Sequence, residues 1–170
     1  ALESSDPDQR PRAAIRASKD LVTTAMHDYW SRDRVVIMAK FEQHNVVLVS
    51  QYCDCTNDRA VDDQLTALVQ YCDTKHLPLI IGADSNAHST LWGPDRPGRD
   101  KRAEDLEGLI AQHDLHVLND GLKPTFVPAQ QDRATYIDIT LTNRFASHLD
   151  LGDDWTVHDE ETFSDHKLIT

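Results

Sequence analysis

Cysteine is scarce in this chain of 170 residues, with only Cys53, Cys55 and Cys72. So small and odd a number excludes the disulfide framework of a small secreted domain. One residue separates Cys53 from Cys55, which is not zinc-knuckle spacing, and no partner pair follows. The pattern suits a reducing, intracellular compartment. Long apolar runs are also missing. The longest, around Leu77–Ala83 and Val46–Val49, are far too short to span a bilayer, so no membrane partner is expected. Ala1–Arg12 is polar and carries both charge signs, unlike a signal peptide. The chain does not start with Met, which fits a processed product or an excised domain. Six Gly and seven Pro are too few for a collagen-like or low-complexity chain. Basic residues are in deficit: 17 Lys and Arg against 29 Asp and Glu give a net charge of −12. Such a chain cannot hold nucleic acid by general attraction. A polyanionic substrate would need a local basic patch, a bound divalent metal, or both.

What is present is a globular composition, 39% apolar and 27% charged, of a length that suits one core. Residues 1–12 read as a polar tail, with one domain over 13–170. Ala13–Ala17 and Val35–Phe41 are candidate strands, and Asn45–Tyr52 is a stronger one whose valines suggest burial on both faces. Residues 59–74 have apolar positions at helical spacing (Val61, Leu65, Leu68, Val69, Cys72), with Asn57 or Asp58 as the cap. The apolar run Leu77–Ala83 then completes a strand–helix–strand unit. A polar loop over Asp84–Arg99 precedes a second amphipathic helix carrying Ala103, Leu106, Leu109 and Ile110. Leu115–Leu118 is a short strand, followed by an Asn119-Asp120-Gly121 turn. Tyr136–Thr142 alternates, with Ile137, Ile139 and Leu141 on one face. Trp155–Val157 and Leu168–Ile169 complete the set. The pattern predicts a layered α/β sandwich.

Three segments carry chemistry. Gly82-Ala83-Asp84-Ser85-Asn86 ends a buried strand with a carboxylate and a carboxamide, which share a side if the backbone stays extended. The same residues also suit a turn. Asp138 sits inside a strand, where Asp is disfavoured and needs a partner or open water. Ser164-Asp165-His166 follows an acidic stretch, and a carboxylate behind the imidazole, with Asp138 the candidate, would fix its tautomer and keep it charged.

In this order the segments resemble the endonuclease/exonuclease/phosphatase superfamily, and most closely the endonuclease domain of non-LTR retrotransposons of the jockey and R1/TRAS kind. The likeness rests on Arg12-Ala13-Ala14-Ile15, on Ile80 to Ser89 with Trp92-Gly93, and on Arg102 to Leu106. It rests equally on Asn119 before Pro124-Thr125-Phe126, on Tyr136 to Leu141 and on Ser164 to Ile169. It implies a four-layer α/β sandwich. The family's leading strands, and the Gln-Glu whose glutamate is a principal metal ligand, find no counterpart; no Gln-Glu dipeptide occurs. The expectation is therefore an N-terminally incomplete domain.

The resemblance implies that Asp84 orients or deprotonates the attacking water and that Asn86 holds it or the scissile phosphate. It makes Asp165 and Asp84 metal ligands, His166 backed by Asp138 the group on a non-bridging oxygen, and Tyr52 a phosphate neighbour. Mg²⁺ is the implied ion, with Mn²⁺ as an alternative. The implied reaction is hydrolysis of one DNA strand to leave a 3′-hydroxyl, beside a reverse transcriptase domain of the parent polypeptide and in the nucleus. Arg96, Arg99, Lys101 and Arg102 form a basic cluster that either meets DNA or pairs with Asp95, Asp100 and Glu104. His88 and Trp92 either contact a nucleotide or, for Trp92, anchor the loop. Two alternatives stand beside the nuclease. One is an impaired remnant acting as a binding or assembly module, its open sheet edges pairing with another chain. The other is a phosphoesterase acting on a non-nucleic-acid substrate.

Overall fold

Two β-rich segments joined by a two-residue turn start the sheet. In the computed structural model, which describes residues 10–94, 100–128, 134–149 and 155–170, strands β2 (Arg34–Phe41) and β3 (His44–Tyr52) form an antiparallel hairpin. Glu42 turns the corner at φ +51°, the left-handed conformation that so short a hairpin loop demands. From β3 the chain crosses through helix α1 (Asp63–Lys75) to strand β4 (Leu79–Asp84), which lies parallel to β3. This is the expected strand–helix–strand unit. Helix α1 starts later than predicted, because Asp62, not Asn57 or Asp58, accepts the Leu65 N–H as its N-cap. Asp62 also holds the guanidinium of Arg34, a side chain only 1% exposed, so the cap ties α1 to β2. Helix α2 (Lys101–His113), capped by Asp100, leads to the short β5 (His116–Val117), and β6 (Asp138–Thr142) inserts between β4 and β5. The sheet order is β1-β2-β3-β4-β6-β5, where β1 is Thr23–Ala25.

The α/β class is as expected, and one face of the sheet carries both helices. Register aligns Val36, Val49, Ile81 and Leu141 in one row across four strands. These side chains are buried in one cluster with Leu65, Leu68, Val69 and Cys72 of α1 and Ala103, Leu106, Leu109 and Ile110 of α2. Each large aliphatic so buried contributes about 1.5–3 kcal/mol. One expected strand fails to form: Ala13–Ala17 is irregular, and the first strand is Thr23–Ala25. Its three residues are all exposed, so no hydrophobic alternation marks it; β1 exists because it pairs with Ala39, Met38 and Ile37. Val157 and Ile169 form a single bridge in place of two short strands. No helix among the described residues is long and apolar enough to cross a membrane.

Candidate active site

Sheet register builds the site. Tyr52 at the end of β3 lies opposite Asp84 at the end of β4, and Asp84 lies opposite Asp138 at the start of β6. Residues aligned across a sheet point to one face. These three sit an odd number of positions from the Val49–Ile81–Leu141 row and therefore face away from the helices.

The fourth residue arrives from the C-terminal segment. Phe126 bridges to both Thr135 and His166, Val127 N–H donates to the Asp165 carbonyl, and Lys167 N–H donates to the Thr125 carbonyl. This pairing sets the His166 ring edge-on to Phe126, with centroids 4.8 Å apart, and brings Nδ1 within 3.0 Å of both Asp138 oxygens. Nε2 then faces Asp84, 3.8 Å from its Oδ2. Among the described residues, Asp84, Asp138 and His166 form the one group of three whose ligating atoms lie within 4.8 Å of one another.

Side chains around Asp138 hold its backbone from both sides. Buried Thr125 accepts the N–H groups of Ile137 and Asp138 on its hydroxyl at 3.1 and 2.9 Å. The Asn119 amide donates to the Asp138 carbonyl and accepts from Thr140 N–H, both at 2.9 Å. A disfavoured strand Asp is thus fixed where it can meet His166. The functions of Thr125, Asn119 and Phe126 were not legible in advance, since nothing local says which strand their side chains will reach.

Asp84 is the electrostatic centre. Burial, then the neighbouring Asp138 charge, push its carboxyl up to about 6, against the opposing pull of His166 and of the Asn86 N–H. Its Oδ1 is buried and accepts no hydrogen bond. A buried carboxylate oxygen without a partner is costly unless a proton or a cation meets it. The donor set therefore fits a hard divalent cation. Mg²⁺ is commonly held by one or two carboxylates together with water and substrate phosphate, and Asp84 offers the first of these.

Asn86 does not follow Asp84 in an extended run. Its φ of +47° turns the chain, and its amide donates to the Cys53 carbonyl at 3.0 Å. Of the two readings open for these residues, an extended run with a shared side and a turn, the chain takes the turn, which closes the ends of β3 and β4. Tyr52 carries the Arg12 guanidinium over its ring at 4.5 Å. Arg12 in turn holds Asp33 at 2.5 and 2.6 Å and Asp54 at 2.8 Å. Burial raises the Tyr52 phenol above its usual value, so it remains a hydrogen-bond donor at neutral pH. Burial likewise pushes the Cys53 thiol up to about 12, which leaves it unreactive.

Other expected residues lie apart. Asp165 is exposed and outside the convergent group, because in the paired segment 165–167 neighbouring side chains alternate and His166 takes the inward position. Trp92 is 1% exposed, with its indole N–H donated to the Ala87 carbonyl at 3.2 Å. It anchors the loop and has no free face for a nucleotide. His88 is half-buried on this loop, its N–H accepted by Asp100 at 2.9 Å. Arg96 and Arg99 lie outside the described residues. Lys101 pairs with Asp58 at 2.7 Å, and Arg102 donates to the Cys55 carbonyl at 2.8 Å. These two cations are engaged by their own chain.

The loop beneath the site leaves little slack. A Cβ on Gly93 would stand 2.6 Å from Tyr136 Cβ and 2.8 Å from its Cγ. Gly93→Ala is therefore expected to lose about 1–3 kcal/mol of stability, read as a melting temperature lower by several degrees. An unchanged melting temperature would refute this packing.

A family model described as endonuclease-reverse transcriptase matches residues 46–170. Among solved structures, the chain is similar to the endonuclease domain of TRAS1, a telomere-specific non-LTR retrotransposon. The TM-score is 0.71 at 28% identity, over 88% of this chain and 67% of that one. An endonuclease/exonuclease/phosphatase family protein from Bacteroides thetaiotaomicron gives a TM-score of 0.44 at 15% identity, over 79% of this chain and 51% of that one. A mannosyl-6-phosphatase from the same organism gives 0.42 at 14%, over 79% and 53%. The chain thus spans about two thirds of the first of these and about half of the other two. No curated protein matches it.

Proposed function

Because this chain belongs to the endonuclease-reverse transcriptase family, we propose that it is a divalent-metal-dependent endonuclease that nicks one strand of DNA to leave a 3′-hydroxyl. The observation that carries this reading is the convergence of Asp84, Asp138 and His166, together with the second oxygen of Asp84, which is buried and accepts no hydrogen bond.

Each residue has a task that its surroundings suit. Asp84, the carboxylate that faces His166 Nε2 across the site, takes the proton of the attacking water. Water oxygen bonds to phosphorus, the P–O3′ bond breaks, and the departing O3′ takes a proton from solvent. His166 presents Nε2–H to a non-bridging oxygen, where donors aimed at developing charge are most effective. Asp138 accepts from Nδ1 and so holds the ring with Nε2 toward the site. Tyr52, braced by Arg12, offers its hydroxyl to the same phosphate, and Asn86 shapes the pocket wall through Cys53. A cation held through Asp84 Oδ1 would supply charge neutralisation, without which a chain of net charge −12 repels its substrate. Mg²⁺ is the ion of first choice, with Mn²⁺ as substitute. A reverse transcriptase partner and a nuclear setting complete the reading.

Supercoiled plasmid is the test substrate. The protein should convert it to open circle with Mg²⁺ or Mn²⁺ and not with a chelator, and His166→Ala should lower the rate by about 10²–10³-fold. Nicking that survives chelation or His166→Ala would refute the proposal. So would the absence of nicking by a folded protein, which would favour a binding module; phosphate released from small esters instead would point to another phosphoesterase.

A further inference from the structure

Phe163 is the most exposed large apolar side chain among the described residues, at 95%, and its backbone sits at φ +55°. A bulky residue is seldom held in this region, because Cβ crowds the adjoining carbonyl. A ring that faces water returns no burial to the fold to offset that strain. The loop is nevertheless closed. The Thr162 hydroxyl donates to the His166 carbonyl at 2.7 Å, with the Ser164 carbonyl at 3.3 Å, and His166 N–H donates to the Ser164 hydroxyl at 3.1 Å. A fixed loop thus displays the ring, and His166 is that loop's other end.

We propose that Phe163 is a nucleobase-stacking residue, packing against a base beside the phosphate that His166 contacts. The proposal rests on the endonuclease reading and adds to it a contact with the base. Three residues of chain reach at most about 10 Å, whereas successive nucleotides of one strand rise about 3.4 Å. The ring therefore falls within a few nucleotides of the scissile bond. Apolar side chains inserted between base steps unstack and kink a duplex, and the face of an aromatic ring accepts any base. Stacking also suits a chain of net charge −12, since repulsion of the phosphates does not oppose it. Backbone strain held in the free protein is characteristic of a part whose compensating contact lies in a complex.

Labelled duplex DNA, kept intact with Ca²⁺ in place of Mg²⁺, gives a test independent of turnover. One set of duplexes carries 2-aminopurine beside a mapped nick. By anisotropy, Phe163→Gly should bind about 10-fold more weakly than the parent, and Phe163→Trp should retain affinity. The 2-aminopurine should brighten on binding the parent and stay quenched with Phe163→Gly. Glycine tolerates this φ, so the melting temperature of Phe163→Gly should hold or rise. Equal affinities, or equal 2-aminopurine signals, would overturn the stacking role, while plasmid nicking would leave the endonuclease reading standing. A lower melting temperature would also overturn it, since the ring would then be packing within the protein. A parent that neither binds nor nicks DNA overturns both.

Discussion

Asp84→Asn is expected to reduce plasmid nicking by about 10³-fold or more while leaving the fold as stable at pH 7 as the parent, or more so. The two effects share one cause. The carboxyl is pushed up to about 6 by burial and by the neighbouring Asp138, from an ordinary value of 3.8. Between about 4 and about 6 the folded state therefore binds this proton more tightly than the unfolded state does. By linkage, the residue's contribution to stability is most favourable below about 4, declines as pH rises through about 6, and is flat above that. A pKa unit corresponds to about 1.4 kcal/mol. The side chain keeps 21% of its exposure, so solvent screening limits this penalty to on the order of 1–2 kcal/mol. Asparagine, which carries no charge to bury, escapes that penalty and loses the proton acceptor.

Activity runs the other way. Only the ionised carboxylate can take a proton or meet a cation, so the nicking rate should fall as pH drops, and the pH at which it falls should move lower as Mg²⁺ is raised, because the cation competes with the proton for Asp84. Urea denaturation of parent and Asp84→Asn at pH 5 and pH 7, beside a pH–rate profile of the parent, checks both signs. Equal or greater nicking by Asp84→Asn would refute the role, and so would a variant markedly less stable at pH 7.

Asp138→Asn is expected to lower kcat by about 10²-fold with little change in KM. Asp138 accepts from His166 Nδ1 with both oxygens at 3.0 Å. The carboxylate thereby fixes the ring with Nε2 facing Asp84, where a phosphoryl oxygen would be met. An amide removes the compensating charge, and its NH₂ can turn toward Nδ1. The ring then either donates through Nε2 as a neutral group or presents Nε2 as an acceptor, and stabilises phosphoryl charge poorly in both states. The double variant Asp138→Asn/His166→Ala should be no slower than His166→Ala alone, since one residue acts through the other. Multiplicative losses in the double variant would show that Asp138 works independently of His166.

How much of this site was legible beforehand depends on what each residue relies on. Asp138 stood out because Asp is disfavoured inside a strand and needs a partner, while Asp84 and His166 were singled out by the order of the three segments and the family resemblance it carries. The Asp138–His166 pairing was expected from that tension, and the two residues meet. Trp92 and Asp165 show the limit of such reading. For an indole in a polar loop, contact with a nucleotide and anchoring of the loop stay equally open until the loop folds back and buries it, and which of two neighbours faces a pocket depends on the strand they pair with. Asn86 takes the turn that its residue type suits, since a positive φ is tolerated by Asn. Thr125, Asn119 and Arg12 act through atoms 12 to 42 positions away, where no local pattern reaches.

The sequence by itself determined the α/β class and the β3–α1–β4 unit, and it named a set of candidate site residues of which Asp84, Asp138 and His166 converge. Periodicity and capping are properties of a few neighbouring residues, and they persist whatever the rest of the chain does. Tertiary structure alone decided that Tyr52, Asp84 and Asp138 share one row, that β1 forms without any alternation, and that Trp92 goes inside. Those outcomes follow from strand register and burial. Both are set by contacts between distant segments, and a shift of one residue in register would turn each of these side chains to the opposite face.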